Sequence, residues 1–134
     1  MDKVKLAIVG CGAISNLNVP GYLEHSKCEI VALCDPVPER ATSKAKEWGI
    51  NPDIFTEYGD ILSNKNIDAI ELLTPTYLHA EQIISGLEAG KHISCQKPLA
   101  TSMKEAAEIR GIVQKSNHIF RVTENFLYLS LIHI

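Results

Sequence analysis

The sequence has no apolar run approaching the roughly 20 residues that cross a bilayer. Its opening, MDKVKLAIVG, lacks the long apolar region and small-residue cleavage site of a signal peptide. Membrane insertion and secretion are therefore not expected, and the start reads as the start of the fold. An excess of positive charge is also missing. The formal net charge is -3, which speaks against nucleic acid and anionic membrane as partners. Cysteine pairs are missing too. Cys11, Cys28, Cys34 and Cys95 show no C-x-x-C spacing, and no histidine falls at zinc-ligand spacing beside them. They read as free thiols of a reducing cytoplasm, with no metal site. The low apolar content of a disordered chain is not found either: 46% of the 134 residues are hydrophobic, enough for one domain with a core.

What is present is an alternation of short apolar runs with segments of helical period. VKLAIVG (4–10), CEIVALCD (28–35), DAIELLT (68–74), HISC (92–95) and IFRVTENF (119–126) read as strands, with a weak strand near Ile54 and Phe55. Ala41, Ala45 and Trp48 share one helical face, and Ile61 and Leu62 mark a short helix. Ala80, Ile83, Ile84 and Leu87 form a stripe at i, i+3, i+4, i+7 that ends at Gly90. Ser102 caps a last helix, with Glu105 completing a capping box. Strand and helix in repeated alternation, with continuous apolar strands, predict an α/β fold. The form expected is a Rossmann-type, doubly wound parallel sheet of about six strands.

Two positions conflict with this pattern. Pro20 and Gly21 fall inside the first helix, so a break is expected between Asn18 and Pro20. Glu71 falls mid-strand, where a buried carboxylate needs a partner that the sequence does not identify.

Gly10-Cys11-Gly12-Ala13-Ile14-Ser15 follows the first strand as G-x-G-x-x-S. Gly10 permits the tight turn. Gly12 lets the backbone approach a pyrophosphate, and the amides of the next helix start point at its charge. Ser15 stands where a third glycine is usual; it is small, so the fit survives. Asp35 ends the second strand, 20 positions after Ser15. There a carboxylate accepts from both adenosine ribose hydroxyls and repels a 2′-phosphate, which favours NAD over NADP. The competing reading of Asp35 is a turn or helix-capping aspartate before Pro36. Arg40 is the residue that would pair with a 2′-phosphate.

Ligands of open α/β sheets lie beyond the carboxyl ends of the strands. TPTYLH (74–79), CQKP (95–98) and TEN (123–125) stand at three such ends. GCGAIS, VALCDP, TPTYLH, EAGKHISCQKPLA and VTENF occur in the order of the Gfo/Idh/MocA (glucose–fructose oxidoreductase / inositol dehydrogenase) family, which this chain resembles from residue 4 to about 128. AGKHISCQKPLA carries most of the resemblance. It implies that Lys97 is the active-site lysine. Thr74, Pro75 and His79 would lie along the cofactor's ribose and nicotinamide side, with Ala13 and Ile14 in the phosphate loop. Gln96 stands where the family has glutamate; it still accepts from a ribose hydroxyl, but removes a negative charge. His79 reads equally as a packed histidine, and Lys97 has the alternative of a solvated surface lysine.

The resemblance further implies a C-terminal α/β substrate domain that is absent here, a sugar or polyol substrate, and a homo-oligomeric parent protein. Residues 1–128 are expected to form the nucleotide-binding domain. LSLIHI (129–134) has no turn signal or closing helix, and reads as a non-native tail of a truncated reading frame. Two functions stay open: an NAD-dependent dehydrogenase in the cytoplasm, or a dinucleotide-sensing regulator on the same fold. Lys97 favours chemistry, because sensing needs no proton-transfer group. Pro98 fixes its own backbone and holds Lys97 out of helical geometry. A cis Lys97–Pro98 bond is one way to aim the amine at the nicotinamide. A positive nicotinamide and exclusion of water would favour the neutral amine.

Overall fold

The computed structural model describes residues 3–123. Six strands carry the fold: β1 (Val4–Val9), β2 (Cys28–Cys34), β3 (Asp53–Phe55), β4 (Ala69–Leu72), β5 (His92–Gln96) and β6 (Phe120–Thr123). Every pairing is parallel, and the strand order is β3-β2-β1-β4-β5-β6. This is the doubly wound Rossmann arrangement expected from the sequence. Residues 124–126, assigned to the last strand from sequence, lie outside the described residues, as does the tail from 129.

Helices pack on both faces. α1 (Ser15–Asn18), α2 (Pro20–Glu24) and α3 (Pro38–Trp48) lie on one side; α4 (Tyr58–Ser63), α5 (His79–Glu88) and α6 (Met103–Lys115) lie on the other. Alternation along each strand sends side chains to opposite faces. Leu6, Ile8 and Leu33 thus meet Val19, Ala41 and Ala45. Ala7, Val9, Ile70, Leu72 and Ile93 meet Ile61, Ile83, Leu87 and Ile109. Each large apolar side chain buried this way contributes about 1.5–3 kcal/mol. No helix among the described residues is long and apolar enough to cross a membrane.

The expected break in the first helix falls at Val19, between α1 and α2. Val19 keeps helical angles and donates to Ser15 O at 2.9 Å. Pro20 has no amide hydrogen to continue the ladder and starts α2 instead. Ser102 caps α6 by accepting from the Glu105 amide at 3.2 Å. The return contact falls one residue earlier than a capping box requires: Glu105 Oε1 accepts from the Thr101 amide at 2.9 Å and from the Thr101 hydroxyl. Those bonds hold the Glu105 carboxyl below its ordinary value.

Glu71 is fully buried. The Tyr22 hydroxyl, from α2, donates to its Oε2. Arg121 Nη2, from β6, donates to that hydroxyl at 2.9 Å, and Arg121 Nε donates to Ser94 Oγ at 3.2 Å. A chain of polar groups therefore crosses from β6 through α2 to the middle of β4. Burial, then the neighbouring Glu71 carboxylate, push the Tyr22 phenol up to about 12.

Candidate functional site

Register brings the site together. Val9 lies opposite Cys34 and Leu72, Leu72 opposite Cys95, and Gln96 opposite Thr123. The residues that follow these strands, Gly10, Asp35, Leu73 to Thr74 and Lys97, therefore leave the sheet at one edge. The strand order reverses between β1 and β4, which opens a crevice there. A cleft of about 510 Å³ occupies this crevice, with Gly10, Gly12, Asp35, Arg40, Thr74 and Pro75 among its walls.

Gly10 has φ +97, and a Cβ there would lie 2.6 Å from Leu73 O. Both the turn and the close approach to the end of β4 require glycine. Gly12 is different: a Cβ would meet nothing within 4 Å. Its missing side chain leaves open space on the cleft side, which suits a bulky phosphate. Ser15, at the third position, is buried, and its hydroxyl donates to Gly12 O at 2.6 Å. The serine thus ties the loop to the helix it opens. The amides of Ser15, Asn16 and Leu17 bond back to Gly12, Ala13 and Ile14 carbonyls at 3.0–3.1 Å. Ile14 is the N-cap of α1, so the stretch from Gly12 to Ile14 leads straight into the helix start. Ala13 is exposed and Ile14 half-buried.

Asp35 is only 3% exposed, and each carboxylate oxygen holds one backbone amide. Oδ1 accepts from Val37 at 2.9 Å, the turn contact expected before α3. Oδ2 accepts from Cys11 at 2.9 Å, inside the glycine loop. The turn reading of Asp35 is therefore met, and it does not exclude the other. Each carboxylate oxygen has a further lone pair for a ribose hydroxyl. The thiols beside it are neutral. Burial, and secondarily the Asp35 charge, push Cys11 and Cys34 up to about 12. Burial does the same for Cys95. All four cysteines are free.

After β4, Thr74 Oγ1 donates to Gln82 Oε1 at 2.5 Å, and Pro75 precedes a 3-10 turn over Thr76–Leu78. His79 opens α5 but does not face the cleft. The residue is 1% exposed, and its ring lies between Thr74 O and Pro98 O. Gln96 is buried at the end of β5, where its Oε1 accepts from Asn18 Nδ2 at 3.4 Å. Asn18 Oδ1 is buried with no hydrogen-bond partner among the described residues. Lys97 is half-buried, and the Lys97–Pro98 peptide is cis.

The cleft thus unites Gly10, Gly12, Asp35, Thr74 and Pro75, with Arg40 on its rim. Gln96 and Lys97 stand at the next strand end, and His79 lies behind both. Sequence reasoning missed Val37, Tyr77 and Gln82 as cleft walls, and Asn18 beside Gln96. TYL in TPTYLH was the available signal for Tyr77; nothing local marked the others. Among the described residues there is no cluster that could hold a metal ion.

A parallel sheet of this order, with a glycine turn after β1 and an acid after β2, defines a dinucleotide-binding α/β domain. Open space at Gly12 and the spare acceptor capacity of Asp35 fit such a cofactor. Residues 4–124 match the family described as "Oxidoreductase family, NAD-binding Rossmann fold", so the chain belongs to the Gfo/Idh/MocA oxidoreductases. It is 30% identical over 120 residues to 1,5-anhydro-D-fructose reductase of Ensifer adhaerens, covering 85% of this chain and 36% of that protein. The 3-ketoreductase KijD10 of Actinomadura kijaniata, solved with NADP, superposes with a TM-score of 0.83 at 26% identity, covering 96% of this chain and 40% of that one. The scyllo-inositol dehydrogenase of Lactobacillus casei, solved with NAD(H) and scyllo-inositol, shares the fold at a TM-score of 0.83 and 24% identity, covering 90% of this chain and 36% of that one. The chain spans about a third of the length of the curated relatives it matches, 33% and 36% for the first two.

Proposed function

We propose that this chain is the cofactor-binding part of an NAD-dependent oxidoreductase that acts on a hydroxyl or carbonyl group of a sugar, polyol or related small molecule. One observation carries this reading. The sheet register sets Lys97 at the same edge as the cleft, one strand beyond Thr74 and two beyond Gly10. The catalysed sugar and inositol reactions named for the relatives supply the substrate class.

Each residue then has a task. Gly10 shapes the loop, and Gly12, Ala13 and Ile14 receive the pyrophosphate. Asp35 accepts from the adenosine ribose through the lone pairs that Cys11 and Val37 leave, and its charge opposes a 2′-phosphate. NAD is therefore preferred over NADP. Thr74 and Pro75 line the cofactor's path, with His79 behind them. Gln96 accepts from the second ribose and also donates. A nicotinamide held along this edge supplies the hydride acceptor for oxidation and the donor for reduction.

Lys97 manages the proton at its Nζ. In oxidation the substrate carbon loses a hydride while its hydroxyl proton passes to the neutral amine, and the oxygen's freed pair completes the carbonyl. In reduction the ammonium returns that proton to the oxygen. Residues 1–128 form the nucleotide domain in this reading.

The test is Lys97→Ala in the whole enzyme, with the substrate found by following nicotinamide absorbance across sugars and polyols. Turnover should fall about 10²–10⁴-fold, the range for a positioned acid or base, while NAD affinity changes far less. Undiminished turnover would remove Lys97 from the chemistry and favour a cofactor-sensing regulator.

A further inference from the structure

We propose that Asn18 is a cofactor-binding residue whose side-chain oxygen, beside that of Gln96, accepts from a hydroxyl of the nicotinamide-side ribose. The proposal rests on the function proposed above.

The observation is an acceptor with nothing to accept. Asn18 Oδ1 is buried and has no hydrogen-bond partner among the described residues. Among those residues, no other buried side-chain nitrogen or oxygen is left this way. An amide oxygen withdrawn from water without a donor is costly, and folded chains keep few of them.

The other end of the amide is only loosely engaged. Asn18 Nδ2 donates to Gln96 Oε1 at 3.4 Å, beyond the ordinary range of about 2.7–3.2 Å. Turning the amides over does not help. Each carries one carbonyl oxygen and one amino group. With both reversed, the pair still makes one bond, and Asn18 is left with an unpartnered amino group instead. The two side chains do not satisfy each other, so a third group is called for.

Position names that group. Asn18 ends α1, which follows the Gly12–Ile14 loop proposed for the pyrophosphate. Val19 beside it is fully buried, which fixes the depth at which Asn18 stands. Gln96 ends β5, directly before Lys97. In the strand order, β5 lies on the other side of β1 from β2, the strand that leads to Asp35. With the adenosine ribose on Asp35 and the pyrophosphate on the loop, the next group toward β5 is the second ribose. Its two adjacent hydroxyls offer two donors. Asn18 Oδ1 and Gln96 Oε1 are two acceptors that share one weak donor in the free chain. A hydroxyl for each satisfies both, and parting the amides loses little because their bond is long. A cation fits less well, since two neutral oxygens bring no charge to offset its desolvation.

The test uses the 134-residue chain and Asn18→Leu, which removes the acceptor at similar volume. The probes are ADP, ADP-ribose and NAD. ADP ends at the pyrophosphate, ADP-ribose adds the second ribose, and NAD adds the nicotinamide. In calorimetric titration, Asn18→Leu should bind NAD and ADP-ribose about 2–10-fold more weakly, the equivalent of one hydrogen bond. Its affinity for ADP should not change. Equal weakening for all three would make Asn18 a support of the phosphate loop and overturn the proposal. Weakening for NAD alone would move the contact to the carboxamide and overturn the ribose assignment. Unchanged affinity for all three would leave water as the partner of Oδ1 and overturn it as well. If the unsubstituted chain binds none of the probes, the proposed function fails, and this inference falls with it. Urea unfolding without cofactor gives a second readout. Removing an unpartnered oxygen should leave the midpoint of Asn18→Leu at or above that of the unsubstituted chain. A lower midpoint, or a variant that does not fold, would show that Asn18 serves the structure and overturn the cofactor role.

Discussion

Gly10 and Gly12 stand two residues apart in one motif, yet they should fail in different ways when given a methyl group. In Gly10→Ala the backbone must keep φ near +97, which costs an L-residue about 1–3 kcal/mol. The new Cβ would also sit 2.6 Å from Leu73 O and 2.8 Å from Leu73 C. Those are backbone atoms of a central strand end, so no side chain can swing aside. Overpacking of this kind adds about 1–3 kcal/mol. Together the two effects come to about 2–6 kcal/mol, against a whole-domain stability of about 5–15 kcal/mol. Gly12→Ala meets nothing within 4 Å and carries no positive φ, so its stability should change by about 0.5 kcal/mol or less. Its methyl group instead occupies the space proposed for pyrophosphate, so NAD binding should fall. Urea unfolding of the two variants, with NAD titration alongside, checks both halves. If Gly10→Ala unfolds no more readily than Gly12→Ala, the argument from close approach to Leu73 is wrong. Native NAD affinity in Gly12→Ala would refute the phosphate role.

Asp35→Ala should abolish the preference for NAD over NADP, measured by fluorescence titration of both cofactors; equal affinities in the unsubstituted chain would sink the assignment. The same change leaves the buried Cys11 amide without its acceptor and should cost about 1–3 kcal/mol in urea unfolding. Stability should fall on the alkaline side. Cys11, Cys34 and Cys95 rise from 9.0 to about 12 and Tyr22 from 10.0 to about 12, chiefly by burial. The folded state then keeps protons that the unfolded chain has released, so this stability is full below about 9 and is lost as pH rises toward 12. Urea midpoints just below and well above the ordinary thiol value will show it. A thiol reagent at neutral pH should label the half-buried Cys28 before the other three, as peptide mapping would reveal.

The strands and their layering were legible because parallel strands buried on both faces are short continuous apolar runs, as in VKLAIV and CEIVALC. The placing of Gly10, Gly12 and Asp35 at one cleft was legible because they follow the ends of neighbouring parallel strands. The break before Pro20 followed from a missing amide hydrogen. Partners distant in sequence were not legible. Glu71 meets Tyr22 across 49 positions, and Gln96 meets Asn18 across 78. No periodicity encodes such a pairing; it follows from which strand ends share an edge and how α1 and α2 lie across them. Asp35 shows the same limit. Its position was fixed by spacing, but its bond to the Cys11 amide needed β1 and β2 side by side. His79 was read as either packed or functional, and the two carbonyls at its ring could only come from coordinates.

The chain of groups from Arg121 through Tyr22 to Glu71 has one possible polarity. A guanidinium only donates and a carboxylate only accepts, so the phenol between them must point its hydrogen at Glu71. The seam of β6 with α2 is therefore keyed by charge as well as by shape. A β6 segment transplanted from a relative would need a long cation at position 121 to engage Tyr22, and a hydrophobic substitute of equal volume would leave the hydroxyl without its donor. Crossover points for chimaeras in this family should accordingly keep residues 22, 71 and 121 from a single parent, even though they lie in three separate thirds of the domain.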